Sequence, residues 1–246
     1  MARAVFVIAD IGGYTRFMKV HRINLAHAQY VVAQLLEAVI DAAGSKLKLA
    51  KLEGDAAFFY GLLTDQPKEG ELAKFADTVA AIRTGFLRRR QELDVDRLCD
   101  CEGCTKVGEL KLKFVAHLGE VAFQKVKRYK ELAGVDVITV HRLLKNTVPI
   151  AEYVLMSEPI YERAGDHLRS FGKQATENLE GLGDLTTYYA DLEEVARVAP
   201  AALEPSRLRR IVAWMKLAWR STPYLLGLRK ACDGFRHPPH QAPHPG

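Results

Sequence analysis

No stretch of the 246-residue chain stays apolar long enough to cross a bilayer, a step that takes about 20 consecutive apolar residues in a helix. The N-terminus lacks a secretory signal too: its apolar run is short and reaches Asp10 without a cleavage site. Both absences predict an intracellular, cytoplasmic protein. Cysteine is scarce. There are four, and three of them crowd into Cys99 to Cys104, which in a reducing compartment points to a metal more than to disulfides. A large excess of charge is also missing. The net charge of +5 is modest and gathers toward the C-terminus, so nucleic acid is not an expected partner. What is present, 48% hydrophobic residues, supports one large domain, or one domain with an appendage.

The stretch that organises the rest is AVFVIADIGGYTRFM, Ala4 to Met18. Val5 to Ile8 suits a strand buried on both faces. It halts at Asp10, and Gly12 and Gly13 let the backbone turn and approach a ligand closely. Helical character follows from Tyr14 to Val20. A carboxylate at a strand end, before glycines and a helix start, fits a cation-bound phosphate. Taken alone, the stretch fits an ordinary turn with Asp10 as a cap better still.

Asn24 to Ala43 reads as a helix, with apolar residues at helical spacing from Leu25 to Ile40. Lys46 to Lys51 alternates like a strand with one wet face, and Ala56 to Tyr60 is a second strand. The Gly54-Asp55 turn between them makes a hairpin with Asp55 at its tip, where it meets Asp10 if the strands are neighbours. Converging carboxylates are a usual Mg²⁺ arrangement, although a Gly-Asp pair also serves a turn for its backbone alone. Glu71 to Leu93 is a helix, and its closing run Arg88 to Arg90 fits a solvated basic end. The loop over residues 97–108 carries Cys99, Cys101 and Cys104, three soft donors suited to Zn²⁺ or simply three thiols; no fourth ligand is evident. Glu109 to Ala116 is expected as a strand, His117 to Glu120 as a tight turn, and Val121 to Val126 as the returning strand. Lys125 to Lys130 is basic. Gly134 to Asn146 reads as a helix with Ile138 and Arg142 on one face. A strand (Glu152 to Met156), a short helix (Glu158 to Ala164) and a strand pair (Thr176 to Leu179, Thr186 to Ala190) close a domain over residues 1–192. Residues 193–205 form an Ala- and Pro-rich linker. Residues 206–232 contain a basic amphipathic helix that fits an anionic membrane surface, the parent domain or a dimer contact, and residues 233–246 are Pro- and His-rich and expected to be disordered.

Taken together, ADIGGYTRFM, KLEGDAAFF, HLGEV and GVDVITVHRLL resemble, in that order, the class III adenylate/guanylate cyclase homology domain, and more narrowly the bacterial cyclase-like DUF2652 family. The resemblance covers Ala4 to Leu192 and implies an α/β sandwich. Its mixed, mostly antiparallel sheet is of ferredoxin-like βαββαβ type with helices on one face. It implies two Mg²⁺ or Mn²⁺ ions on Asp10, the Ile11 carbonyl and Asp55, with Gly12, Gly13, Tyr14 and Thr15 as the nucleotide-facing turn. Lys51 and Glu131 stand where that family reads the base, and Arg142 where it stabilises the transition state. The family builds each site from two subunits, so a homodimer acting on a nucleoside triphosphate is implied. One position departs: active cyclases carry Asn where this chain has Ile138, which cannot hydrogen-bond to ribose. The expectation is a nucleotidyl cyclase, ATP favoured. The alternative is a catalytically weak or inactive nucleotide-binding regulator.

Overall fold

In a computed structural model of the chain, residues 1–20, 25–45, 47–64, 72, 74–97, 104–196, 203–226 and 228 are described. The elements are β1 (Ala2–Gly12), α1 (Tyr14–Val20), α2 (Leu25–Ala43), β2 (Lys48–Glu53), β3 (Ala56–Leu62) and α3 (Lys74–Val95). A 3-10 turn (Cys104–Glu109) leads into β4 (Lys111–Val126), β5 (Tyr129–Ala133), α4 (Val135–Arg142), β6 (Tyr153–Ser157) and α5 (Glu158–Tyr161). The chain continues through α6 (Gly165–Arg169), β7 (Lys173–Leu179), β8 (Gly183–Asp191), α7 (Leu192–Val195) and α8 (Arg207–Leu225).

The strands form one sheet in the order β2-β3-β1-β4-β6-β8-β7, with β5 paired to the far end of β4. Every pairing is antiparallel except β4 with β6. The first four strands of this order are the ferredoxin-like unit that the motifs imply. β1 lies at its centre and is buried on both sides, which is why its apolar run is unbroken. Val5, Val7, Ala9 and Ile11 face one layer with Val31, Leu35 and Val39 of α2 and Val79, Ile82 and Phe86 of α3. Ala4, Phe6 and Ile8 face the opposite layer with Val137, Val140 and Leu143, in and just after α4. Helices therefore cover both faces, not one. The sequence pattern of α4 gave no sign of this, because an amphipathic helix states that it buries a face but not against which side of a sheet.

The expected turn at His117 to Glu120 does not exist. β4 runs unbroken through it, pairing with β1 from Gly12↔Lys111 to Ala2↔Val121. Gly119 is there for space. A Cβ on it would stand 2.1 Å from Cγ of Asp136, whose carboxylate lies over the strand. That carboxylate accepts a 2.7 Å hydrogen bond from the Glu120 N–H and pairs with Nε2 of the buried His117 at 2.9 Å. The first turn of α4 is thus pinned to β4. The chain reverses later, at Lys127 and Arg128, so the basic stretch forms the tip of the β4–β5 hairpin. The helix expected over Gly134 to Asn146 ends at Arg142, and α6 follows α5 unanticipated.

Candidate active site

Three neighbouring strands bring the acidic groups together. Asp10 pairs with Ala56 of β3 on one side and with Lys113 of β4 on the other. The Ile11 N–H donates to the Asp55 carbonyl at 3.2 Å, which folds the β2–β3 hairpin tip against the end of β1. The two carboxyl groups are then close enough to hydrogen-bond. Burial first, and the charge of Asp10 second, push the Asp55 carboxyl up from 3.8 to about 6. Lys113 Nζ lies 2.9 Å from Oδ2 of Asp10. Burial draws this ammonium's pKa down, but its hydrogen bond to Asp10 and the nearby negative charge outweigh that, and the net shift is upward. Lys113 escaped the sequence reading. Its signal is a lysine between Leu112 and Phe114 in the first half of β4, where all the other residues from Leu112 to Leu118 are buried.

A second group of side chains lines two clefts on the α4 face. Lys51, Ile138, His141, Arg142, Asn178 and Glu180 border a space of about 490 Å³. Lys51, Tyr60, Phe123, Lys130 and Glu131 border another of about 210 Å³. Lys51 and Val137 belong to both, so the two expected base readers and the expected transition-state arginine share one continuous surface. Neither cleft is lined by Asp10, Asp55 or Lys113. Nη1 of Arg142 is buried without a hydrogen-bond partner, beneath the β7–β8 turn at Gly181. Such an atom carries a desolvation cost that an incoming acceptor would relieve. Ile138 is 49% exposed on the cleft wall.

Glu53 and His141 join this group without having been expected there. Glu53 pairs with Lys51 at 2.6 Å and with His141 Nδ1 at 3.2 Å. The His141 ring sits edge-on to Phe58, centroids 4.7 Å apart, and its Nε2 is buried without a partner. Burial lowers the His141 pKa, against the pull of Glu53. The alternation of β2 hides Glu53, because that strand is exposed at most positions and reads as a solvated edge.

The remaining expected residues are placed less directly. Gly12 ends β1, and Gly13 turns the chain into α1 with φ +86°, a conformation suited to glycine. Tyr14 packs against the core while Thr15 is exposed, and Ile11 is buried. Cys99 and Cys101 lie outside the described residues. Cys104 is buried at the head of the 3-10 turn. Among the described residues no cluster of three or more His, Cys, Asp or Glu side chains is placed to hold a metal.

A family model described as "Protein of unknown function (DUF2652)" matches residues 32–153. The chain is also 45% identical over 205 residues to the uncharacterized protein Rv2561/Rv2562 of Mycobacterium tuberculosis, covering 83% of this chain and 93% of that one. The chain belongs to the DUF2652 family. Among solved structures, this DUF2652 protein resembles the guanylyl cyclase Cya2, with a TM-score of 0.59 and 14% identity over 77% of this chain and 94% of that one. It is similar to the guanylate cyclase domain of RhGC from Catenaria anguillulae, solved with GTP (TM-score 0.54, 13% identity, 77% and 96% covered). It is similar also to the adenylyl cyclase CyaB from P. aeruginosa (TM-score 0.51, 12% identity, 82% and 97% covered). The DUF2652 chain therefore has the class III nucleotidyl cyclase fold. No helix among its described residues is long and apolar enough to cross a membrane.

Proposed function

We propose that this protein is a nucleotidyl cyclase that converts a nucleoside triphosphate, ATP by preference, to a cyclic nucleotide and pyrophosphate. The observation that carries the reading is the Asp10–Asp55 pair. Two carboxyl groups brought side by side at a strand end by the β1–β3 pairing, with one pushed up to about 6, form a site short of positive charge. Oxygen donors of this kind fit Mg²⁺ or Mn²⁺, which commonly take one or two protein carboxylates and complete their shell with water and substrate phosphate. Asp10, the Ile11 carbonyl and Asp55 would hold the two ions, which when bound lower the pKa of the 3′-hydroxyl and screen the triphosphate.

The chain's own residues supply the rest. Lys113 balances the carboxylates while the site lacks other cations, and its ammonium is then available to phosphate oxygens. Arg142, with its unpartnered Nη1, offsets charge that develops on the α-phosphate as the 3′-oxygen bonds to phosphorus and pyrophosphate departs. Lys51 and Glu131 face the base across the cleft they share. Asp10 and Asp55 lie apart from that cleft lining, which supports a site completed by a second copy, the carboxylates of one protomer opposing Lys51 and Arg142 of its partner.

Ile138 favours a second reading, a weak or inactive cyclase that binds nucleotide as a regulator. Loss of one ribose-orienting hydrogen bond costs about 2–4 kcal/mol of barrier, roughly thirty- to several-hundredfold in rate. The two readings part in one assay. Purified protein is incubated with Mn²⁺ or Mg²⁺ and each nucleoside triphosphate in turn, and products are followed by mass spectrometry. Cyclic nucleotide from any of them supports the enzyme. Cation-dependent nucleotide binding without cyclic product leaves the regulator.

A further inference from the structure

The helix α8 is fixed at its base and exposes several large apolar side chains beyond it. Asp96, just after α3 and with its side chain only 6% exposed, accepts a 2.7 Å hydrogen bond from the Ser206 N–H and a 2.5 Å one from Arg209 Nε. Arg209 also donates to the Glu204 carbonyl at 2.6 Å. Leu208, Arg209 and Val212 close a pocket of about 250 Å³ against α2 and α3. Beyond that first turn four large apolar side chains face solvent: Ile211 and Met215 are each 54% exposed, Trp214 64% and Trp219 82%. Ile211, Met215 and Trp219 follow one another at four-residue spacing, on one face.

Charge decides what covers that face. From Ser206 to Cys232 there are seven Lys or Arg residues and no Asp or Glu. A second copy packed face to face would bring two such sets together with no carboxylate on either helix to offset them. A surface of negative charge with an apolar interior matches both properties at once: apolar and indole groups enter the headgroup boundary while cations meet lipid phosphates.

We propose that α8 is a peripheral membrane anchor that lays its Ile211–Met215–Trp219 face on an anionic lipid surface, held to the domain by the Asp96–Arg209 joint. This inference is independent of the proposed cyclase activity. The chain provides its own reporter, because its two tryptophans, Trp214 and Trp219, both lie on α8.

The full chain is mixed with vesicles of phosphatidylcholine alone or with 30 mol% phosphatidylglycerol. Sedimentation and tryptophan emission are then read. The anionic vesicles are expected to pull down the protein and shift its emission to the blue, while neutral ones do neither; raising salt reverses binding. Arg207→Glu with Arg210→Glu weakens binding about 25-fold or more, at roughly fivefold for each cation. Ile211→Asp with Met215→Asp abolishes the blue shift. Circular dichroism of both variants confirms that the domain stays folded, since all four side chains are exposed. Absence of binding to anionic vesicles, or equal binding to neutral ones, overturns the proposal. So does emission already blue-shifted without lipid in a concentration-dependent way, which would make the face a contact between copies.

Discussion

Replacing Asp55 by Asn should stabilise the protein when no divalent cation is present, and should do so only above a certain pH. The Asp55 carboxyl is raised from 3.8 to about 6 by burial and by Asp10. At 1.36 kcal/mol per pH unit that rise is worth about 3 kcal/mol. Partial solvent access and the neighbouring Lys113 reduce the expected effect to about 1–3 kcal/mol. The sign follows from proton binding. Between 3.8 and about 6 the unfolded chain has released the Asp55 proton while the folded chain keeps it. Stability is therefore full below the lower value and is lost as pH rises through the upper one. An asparagine cannot ionise, and its amide donates to Asp10 as the protonated acid does. The gap between variant and wild type should be near zero at the acid end, open through that window and stay constant above it. Thermal melts in chelator at a series of pH values measure it; for a domain of this size the plateau is about 2–10 °C. At pH 8, Mn²⁺ should raise the wild-type melting temperature and leave the variant unmoved, because only the wild type retains both carboxylates. A gap that does not vary with pH, or a variant less stable than wild type at pH 8, would refute the crowded-carboxylate account.

Lys113→Met removes the cation 2.9 Å from Asp10, and melting in chelator at pH 8 should show a loss of about 1–3 kcal/mol, which saturating Mn²⁺ narrows. Ile138→Asn restores a polar side chain on the cleft wall. Cyclic product counted by mass spectrometry should rise about ten- to a hundredfold, and an unchanged rate would remove the ribose-orienting explanation. Gly119→Ala places a Cβ 2.1 Å from Asp136 Cγ, so the carboxylate must leave its bonds to the Glu120 N–H and His117. Differential scanning fluorimetry should register a loss of about 2–4 kcal/mol; a change below about 0.5 kcal/mol, the usual size for surface substitutions, would mean that the contact pins nothing.

The sequence alone determined the elements whose cause is local. The unbroken apolar run of β1, the helical spacing of α2 and α3, and the Gly54-Asp55 hairpin each follow from backbone preference and periodicity. The order of the four motifs was enough to name the class of fold. Tertiary structure decided what a linear pattern cannot carry. Only strand order makes Lys113 a neighbour of Asp10, because register across β1 and β4 is set by the pairing of residues about a hundred positions apart. Only the docking of α4 shows Gly119 to be room for Asp136 rather than a turn, since glycine permits both a reversal and a close approach. Only packing shows that Glu53 leaves its solvated edge to meet His141, and that α8 is tied down at one end while Ile211, Trp214, Met215 and Trp219 stay exposed. A side chain's type and spacing come from local chemistry. Its partner, and the charge it must live beside, come from where the rest of the chain is folded.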